Sequence, residues 1–375
     1  MNTTSCAKAM GNLSDEEKMV YIFRAYLTPL IIVFGIFGNM LVIVAFSRMQ
    51  SKVPCRFNLY VVAISVAQTL ELIFNALLDD FIGRGLIWLS RCQISVKLDT
   101  QSPIACKLLN YLPEAVALVS TNVLAMFSVD RVLTVYKPLK FRGDLHLKWS
   151  VIGIGIIYIL GFVLNVPLIT HRGLVEKINT LSVMKLECQF IDSTSPAVQY
   201  SLYLSIYGSV LCPAILVFIT NILIFIKLRV LLKEHQRLRY QDERGASSEL
   251  RRVVGHLALT SLYFIIVIPL IVVIILRQEA DFRDYEITRP KYATKLVHLS
   301  RFFSSFESII YATGFPTYLA FLPSFRGELK RIFCCLKCGR YFTKWIRKPS
   351  LPKEISIQPK TSSFQLDSNN HESGK

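Results

Sequence analysis

The apolar residues of this chain arrive in blocks of one length, and that length is the strongest constraint on its fold. Seven runs lie near 21–47, 57–82, 103–129, 149–170, 197–230, 253–276 and 296–322. Crossing a hydrocarbon core about 30 Å thick takes about 20 helical residues. Inside lipid every backbone amide must be paired within its own segment, so each run is expected to be a helix. The 375 residues are 52 % hydrophobic and 18 % charged, too little polar cover for a soluble surface. The length would fit two or three soluble domains, but Gly-Asn and Pro breaks fall within the runs and charges fall between them. The sequence therefore predicts an all-α membrane protein with seven spans. A short segment at 1–20 precedes the bundle at 21–322, an amphipathic eighth helix follows at 323–338, and a polar tail occupies 339–375.

Orientation follows from Lys and Arg, which concentrate on the cytoplasmic side of membrane proteins. Arg48, Lys52 and Arg56 follow the first run without an acid. Lys137, Lys140, Arg142 and Lys148 follow the third against Asp144, and Lys227, Arg229, Lys233, Arg237 and Arg239 follow the fifth. The loop at 171–196 is balanced, with Arg172, Lys177 and Lys185 against Glu176, Glu187 and Asp192. The N-terminus is thus expected outside and the C-terminus in the cytoplasm. The net charge of +17 is a topology signal, and its distribution argues against nucleic acid as a partner. No cleavable signal is expected, because the first 18 residues are polar and include Asp15, Glu16, Glu17 and Lys18. Two glycosylation triplets, at Asn2 and Asn12, fall on the outer side.

The nine cysteines divide by side. Cys106 starts the third run and Cys188 lies in the 171–196 loop, both facing the oxidising side. A bridge between them would pin that loop over the mouth of the bundle. Cys6 and Cys92 are also outside and could pair, which spacing does not prove. Cys334, Cys335 and Cys338 follow an amphipathic stretch on the cytoplasmic side and are palmitoylation candidates. A zinc site is disfavoured there because no nearby His completes it.

The third run ends in "SVDRVLTVYKPLKF", with Asp130 and Arg131 adjacent at the membrane edge. This resembles the rhodopsin-like family of G-protein-coupled receptors, whose third helix ends in D-R-Y with a proline in the next loop. Here Val132 follows the pair, then Pro138. Gly38-Asn39, Ser120, Pro167, Pro213 and Pro269 fall at the matching depths, so the resemblance covers about residues 20–335. It implies a switch. Asp130 holds Arg131 in an inactive arrangement, with Glu249 at the cytoplasmic start of helix six as a second partner. Outward movement of helix six then frees Arg131 to meet a heterotrimeric G protein.

Several positions depart from the family. The sodium-binding aspartate of helix two falls on Gln68, which supplies no negative charge. Glu71 lies one turn further along the same face, and with Ser120 and Glu307 it either takes over a polar centre or is simply hydrogen-bonded. The helix-six tryptophan is replaced by Val267, two residues before Pro269, and Tyr263 stands at the usual phenylalanine. The N-P-x-x-Y of helix seven becomes "GFPTYLAF", aligned either through Pro316 or through Tyr318. Asn221 sits where many members have tyrosine.

The resemblance also limits the ligand. The aminergic aspartate position holds Pro113, which disfavours a monoamine. Lys295 lies too near the outer end of helix seven for an opsin Schiff base. The N-terminus is too short for a large ectodomain. A small neuropeptide, basic or amidated, fits the acids Glu71, Asp79, Asp80 and Glu114, although Asp79 and Asp80 also read as solvated helix-end charges. A chemosensory or orphan receptor for another small ligand is the alternative within the fold. A transporter or channel is the alternative outside it, but the halves show no repeat. No nucleophile–base or metal-ligand set marks an enzyme, and no cofactor is expected. The partners expected are the ligand, a G protein and the bilayer. The tail residues Ser356, Thr361, Ser362, Ser363, Ser368 and Ser373 fit arrestin recruitment after phosphorylation, or equally a plain polar linker.

Overall fold

The first helix begins earlier than its apolar run, and local chemistry explains why. Ser14 caps it by accepting a hydrogen bond from the Glu17 amide at 3.2 Å, and Asp15, Glu16 and Glu17 occupy the positive end of the helix dipole. In the computed structural model this helix, α1, spans Asp15–Lys52. The structure describes residues 13–94, 96–137, 141, 144–178, 184–192, 194–237 and 243–337, with the side chains of 231–237 and 243–249 among those left out. The sequons at Asn2 and Asn12, Cys6, Cys338 and the polar tail lie outside the described residues, as does the side chain of Cys335.

Helix α2 spans Arg56–Leu89, α3 Pro103–Tyr136 and α4 Asp144–Leu164, continued by Val166–His171. Helix α5 is built of Pro196–Tyr203, Leu204–Leu211 and Cys212–Arg237, and α6 spans Glu243–Phe282. Among the described residues six helices, α1 to α6, are long and apolar enough to cross a membrane. The seventh, α7, is assembled from Pro290–Glu307, Ile310–Ala312 and Gly314–Phe321. It is less apolar because it carries Lys291, Lys295, Arg301 and Glu307, and it is broken around Ser308 and Thr313. Pro316 sits in the first turn of its last piece, where a missing amide hydrogen has no partner to lose. Helix α8 follows at Pro323–Lys337.

Helix α3 stands at the centre and packs on α2, α4 and α5, while α7 closes the ring against α6 and α1. The loop after α4 has regular structure. It forms an antiparallel hairpin of β1, Arg172–Ile178, and β2, Met184–Phe190. Cys188 of β2 is bonded to Cys106 at the start of α3, so the hairpin is fixed over one end of the bundle. That end is called the disulfide end below, and the opposite one the Asp130 end. Wide, π-helical turns interrupt α1 at Phe23–Leu27, α2 at Leu72–Gly85 and α5 at Leu204–Leu211, all in the half nearer the disulfide end. Such turns carry an extra residue per bond and re-aim side chains, often at functional sites. The chain divides at Arg331 into this bundle and a second unit, Ile332–Lys375; of that unit only the end of α8 is described.

Candidate functional site

At the Asp130 end α3 presents Asp130 and Arg131 with almost no exposure, 6 % and 3 %. The Asp130 carboxylate accepts from the Arg131 guanidinium through one oxygen. Its other oxygen accepts from Arg56 at 2.5 Å. Arg56 opens α2 and also donates to the Thr134 hydroxyl at 3.1 Å and the Phe141 carbonyl at 2.8 Å. The Arg131 guanidinium lies over the rings of Phe57 and Phe127, 5.5 and 5.3 Å from their centroids. Cation–π contact of this kind is strengthened by burial. Arg131 is therefore held by a carboxylate and two rings, and Asp130 by two guanidinium groups. His256 of α6 is fully buried with its ring edge-on to Phe127 at 4.4 Å. The same helix is tied to α5 by Thr260, which donates to Asn221 at 2.7 Å.

Arg56 was visible in the sequence only as a topology charge. Its role emerges because α2 begins beside the end of α3. Glu249, the expected second partner of Arg131, lies in α6 among the side chains that are not described.

The polar centre sits between the two ends. Asn39 of α1 donates to the Tyr311 carbonyl of α7 at 3.0 Å. Gln68 of α2 and Asn39 both border Gly314, where an added Cβ would lie 3.7 and 3.8 Å from their side-chain oxygens. Ser120, Tyr263 and Val267 are buried around this level, and Pro269 lies inside α6. Pro213 is the second residue of the last segment of α5. Tyr318 is 2 % exposed and packs edge-on to Phe46 at 5.3 Å. Phe315 packs against Gly38 and Phe325 instead.

Three carboxyls face one another towards the disulfide end. Glu71 is fully buried, with no hydrogen bond of good geometry to its oxygens among the described residues and the Asn75 side chain close by. Glu307 of α7, whose carboxyl accepts from Tyr311 at 3.5 Å, and Glu114 of α3 are partly accessible. Both lie within electrostatic reach of Glu71. None of the three makes an ion pair among the described residues. Arg172 reaches Glu114 only through its field; burial lowers the guanidinium pKa and the carboxylate opposes that.

Beyond them opens a chamber of about 500 Å³ lined by α1, α2, α3, α7 and β2. Pro113, Leu109 and Asn110 form its α3 wall. Asp79 lines it too, paired with Arg84 at 3.1 Å. Asp80 is no solvated helix-end charge. It is 4 % exposed and paired at 2.9 Å with Arg24 of α1, which also donates to Ser305 of α7 at 2.8 Å. Arg24 was not singled out in the sequence, although a lone charge inside an apolar run is a functional signal. The hairpin roof is tied down by the disulfide and by Arg172, which donates to Asn110 and stacks 4.3 Å over Phe190.

At the other end, Lys52 of α1 donates to both oxygens of Glu328 of α8 at 2.8 Å. Burial opposes ionisation of Glu328, but Lys52 and Arg331 outweigh it and hold its pKa below the usual value. Cys334 of α8 is exposed and free.

A seven-helix membrane bundle with a chamber at one end and a buried acid–base pair at the other fits a receptor architecture. The model of the rhodopsin family of seven-transmembrane receptors matches residues 38–310, well over half of the chain. The chain belongs to that family, whose members are receptors and not enzymes. It is also similar to a protein described as a Gq-coupled rhodopsin from Mizuhopecten yessoensis, at 25 % identity over 332 residues. That match covers 86 % of this chain and 62 % of the relative, so the chain spans less than two thirds of the relative's length.

Proposed function

We propose that this receptor lies in the plasma membrane with its disulfide end outside, binds a small basic peptide in the chamber, and activates a heterotrimeric G protein at the Asp130 end. The coupling reading rests on the clamp of Arg131 by Asp130, with Arg56 securing Asp130 from α2. Release of that clamp gives two discrete states for a ligand to bias. The balance of Lys and Arg between loops supports the orientation. Cys334, with Cys335 and Cys338 beyond it, fits lipid attachment on the cytoplasmic side, and Asn2 and Asn12 fit glycosylation on the outer side.

The ligand reading rests on the carboxyls of Glu71, Glu114 and Glu307, which are not among the residues that line the chamber itself. Asp79 and Asp80 are already neutralised by Arg84 and Arg24, so they offer little to a cation. Among the described residues the three glutamates have no ion-pair partner, and a ligand ammonium or guanidinium would supply one. A retinal-binding reading, which opsins of the family invite, does not fit these residues. Between 290 and 321 the only lysines are Lys291 and Lys295. Lys291 is exposed, and Lys295 pairs with Glu16 at 3.0 Å near the start of α1. No lysine of α7 faces the interior to carry a Schiff base.

The experiment is G-protein activation in cells expressing the chain, challenged with peptide and amine libraries. Gq is read first, because the relative is described as coupled to it. A response to basic peptides that is lost in Arg131→Ala is expected. A response confined to amines would sink the peptide reading, and signalling that survives Arg131→Ala would sink the switch.

A further inference from the structure

We propose that the chamber also contains an anion subsite, formed by Arg301 and Arg24, that takes a carboxylate of the ligand. The idea rests on the peptide reading above and narrows it to peptides with a basic group and a free acid. Arg24 is 4 % exposed, and its Nε lies 2.9 Å from Asp80 and 2.8 Å from Ser305. Its terminal nitrogens donate no hydrogen bond among the described residues, and the residue lines the chamber. Arg301 lines the same chamber, is exposed to it, and makes no ion pair among the described residues. Arg84 and Arg301 both lie within electrostatic reach of Arg24, as do Asp79 and Asp80. Asp80 pairs with Arg24 and Asp79 with Arg84, which leaves Arg301 without an ion-pair partner among the described residues at this part of the wall.

That arrangement is built rather than incidental. Arg24 cannot swing away, because α2 and α7 hold it from two sides. Gly85 lets α1 and α2 approach so closely that an added Cβ would lie 2.5 Å from the Arg24 carbonyl oxygen. A planar guanidinium held in this way matches a carboxylate in two-point geometry. The flexible Arg301 beside it supplies a second positive charge. Glu17, Asp99 and Glu187, with Lys97 and His298, line the rest of the wall.

The spacing sets the size of the ligand. Glu307 lies six residues beyond Arg301 in the same helical piece, about 9 Å along the axis and about 120° around it at 3.6 residues per turn, so 9 Å is the least the ligand must span. An extended peptide covers that in two to three residues, at about 3.3–3.6 Å each. A short peptide with Lys or Arg near its C-terminus would set its side chain among the glutamates and its terminal carboxylate on Arg301 and Arg24.

The test uses the full chain in lipid nanodiscs and thermal stabilisation by synthetic tetrapeptides. Each peptide carries one Lys or Arg and is made as both free acid and C-terminal amide. Free acids are expected to bind about tenfold tighter than amides to the unmodified chain. Arg301→Gln should abolish that preference and Arg301→Lys should retain most of it. Glu307→Gln should keep the acid preference while weakening selection for the basic side chain. Equal binding of acids and amides overturns the subsite without any variant, and so does a preference that survives Arg301→Gln. An acid preference that depends on Arg301 but ignores both Glu307 and the basic residue leaves the subsite standing and sinks the basic-peptide reading. Failure of every peptide to stabilise the chain overturns both.

Discussion

Arg56 carries the most consequence of any single side chain here. It donates to Asp130, Thr134 and the Phe141 carbonyl, so it ties the start of α2 to the end of α3. Hydrogen bonds to charged groups contribute about 1.5–3 kcal/mol each. Removing Arg56 leaves Asp130 with Arg131 alone and weakens the arrangement that holds both. Arg56→Ala is expected to raise ligand-independent G-protein activation several-fold with surface expression unchanged. Basal activity equal to the parent would remove Arg56 from the latch. Asp130 and Arg131 were legible in the sequence because two charges ending an apolar run demand an explanation. Arg56 was not, since a basic residue in a short loop is what orientation alone requires. Arg24 and Arg301 fall between these cases: both stood inside apolar runs, but only tertiary structure brought them to one wall.

At the scale of elements, close packing of α1 on α2 is set by small residues. At Gly85 an added Cβ would meet the Arg24 carbonyl at 2.5 Å, and a backbone atom cannot yield as a side chain can. At Gly155 of α4 nothing lies within 4 Å. Gly85→Ala is expected to cost about 1–3 kcal/mol through overpacking and to loosen the Arg24–Asp80 pair. Gly155→Ala should be neutral or gain about 0.5–1 kcal/mol from reduced chain entropy. Thermal unfolding of the purified variants checks both; equal effects at the two sites would mean that the α1–α2 contact is not limiting. The helices themselves were readable from length and hydropathy. Their wide turns were not, because an extra residue in a turn leaves no mark on apolar periodicity. The hairpin at 172–190 escaped for a related reason. Its strands are short and mixed in polarity, and their pairing is stabilised by the disulfide and by the Arg172 contacts rather than by an apolar face.

Across the whole molecule, the disulfide closes a separation of 82 residues and holds the chamber roof to α3. The chain-entropy account assigns a loop of this size about 4 kcal/mol. The double change Cys106→Ser with Cys188→Ser is expected to lower thermal stability markedly and to abolish peptide binding. The Asp130 end lies at the other side of the membrane, so Arg56→Ala should still raise basal activity in that background. A loss below about 1 kcal/mol would mean that Arg172, through Asn110 and Phe190, already holds the hairpin.

By itself the sequence determined that this chain is a bundle of membrane helices, where each helix lies, and that an acid–base pair ends the third. The reason is that hydrocarbon punishes unpaired amides and stray charges within each segment separately, so those requirements are written locally. Only the tertiary structure decided which charges neutralise one another. Asp79 and Asp80 differ by one residue, yet Arg84 on their own helix takes the first and Arg24 on another helix the second. Arg56 likewise turned from a topology charge into a partner of Asp130. Ion pairing depends on distances between helices, and no local pattern of residues encodes those.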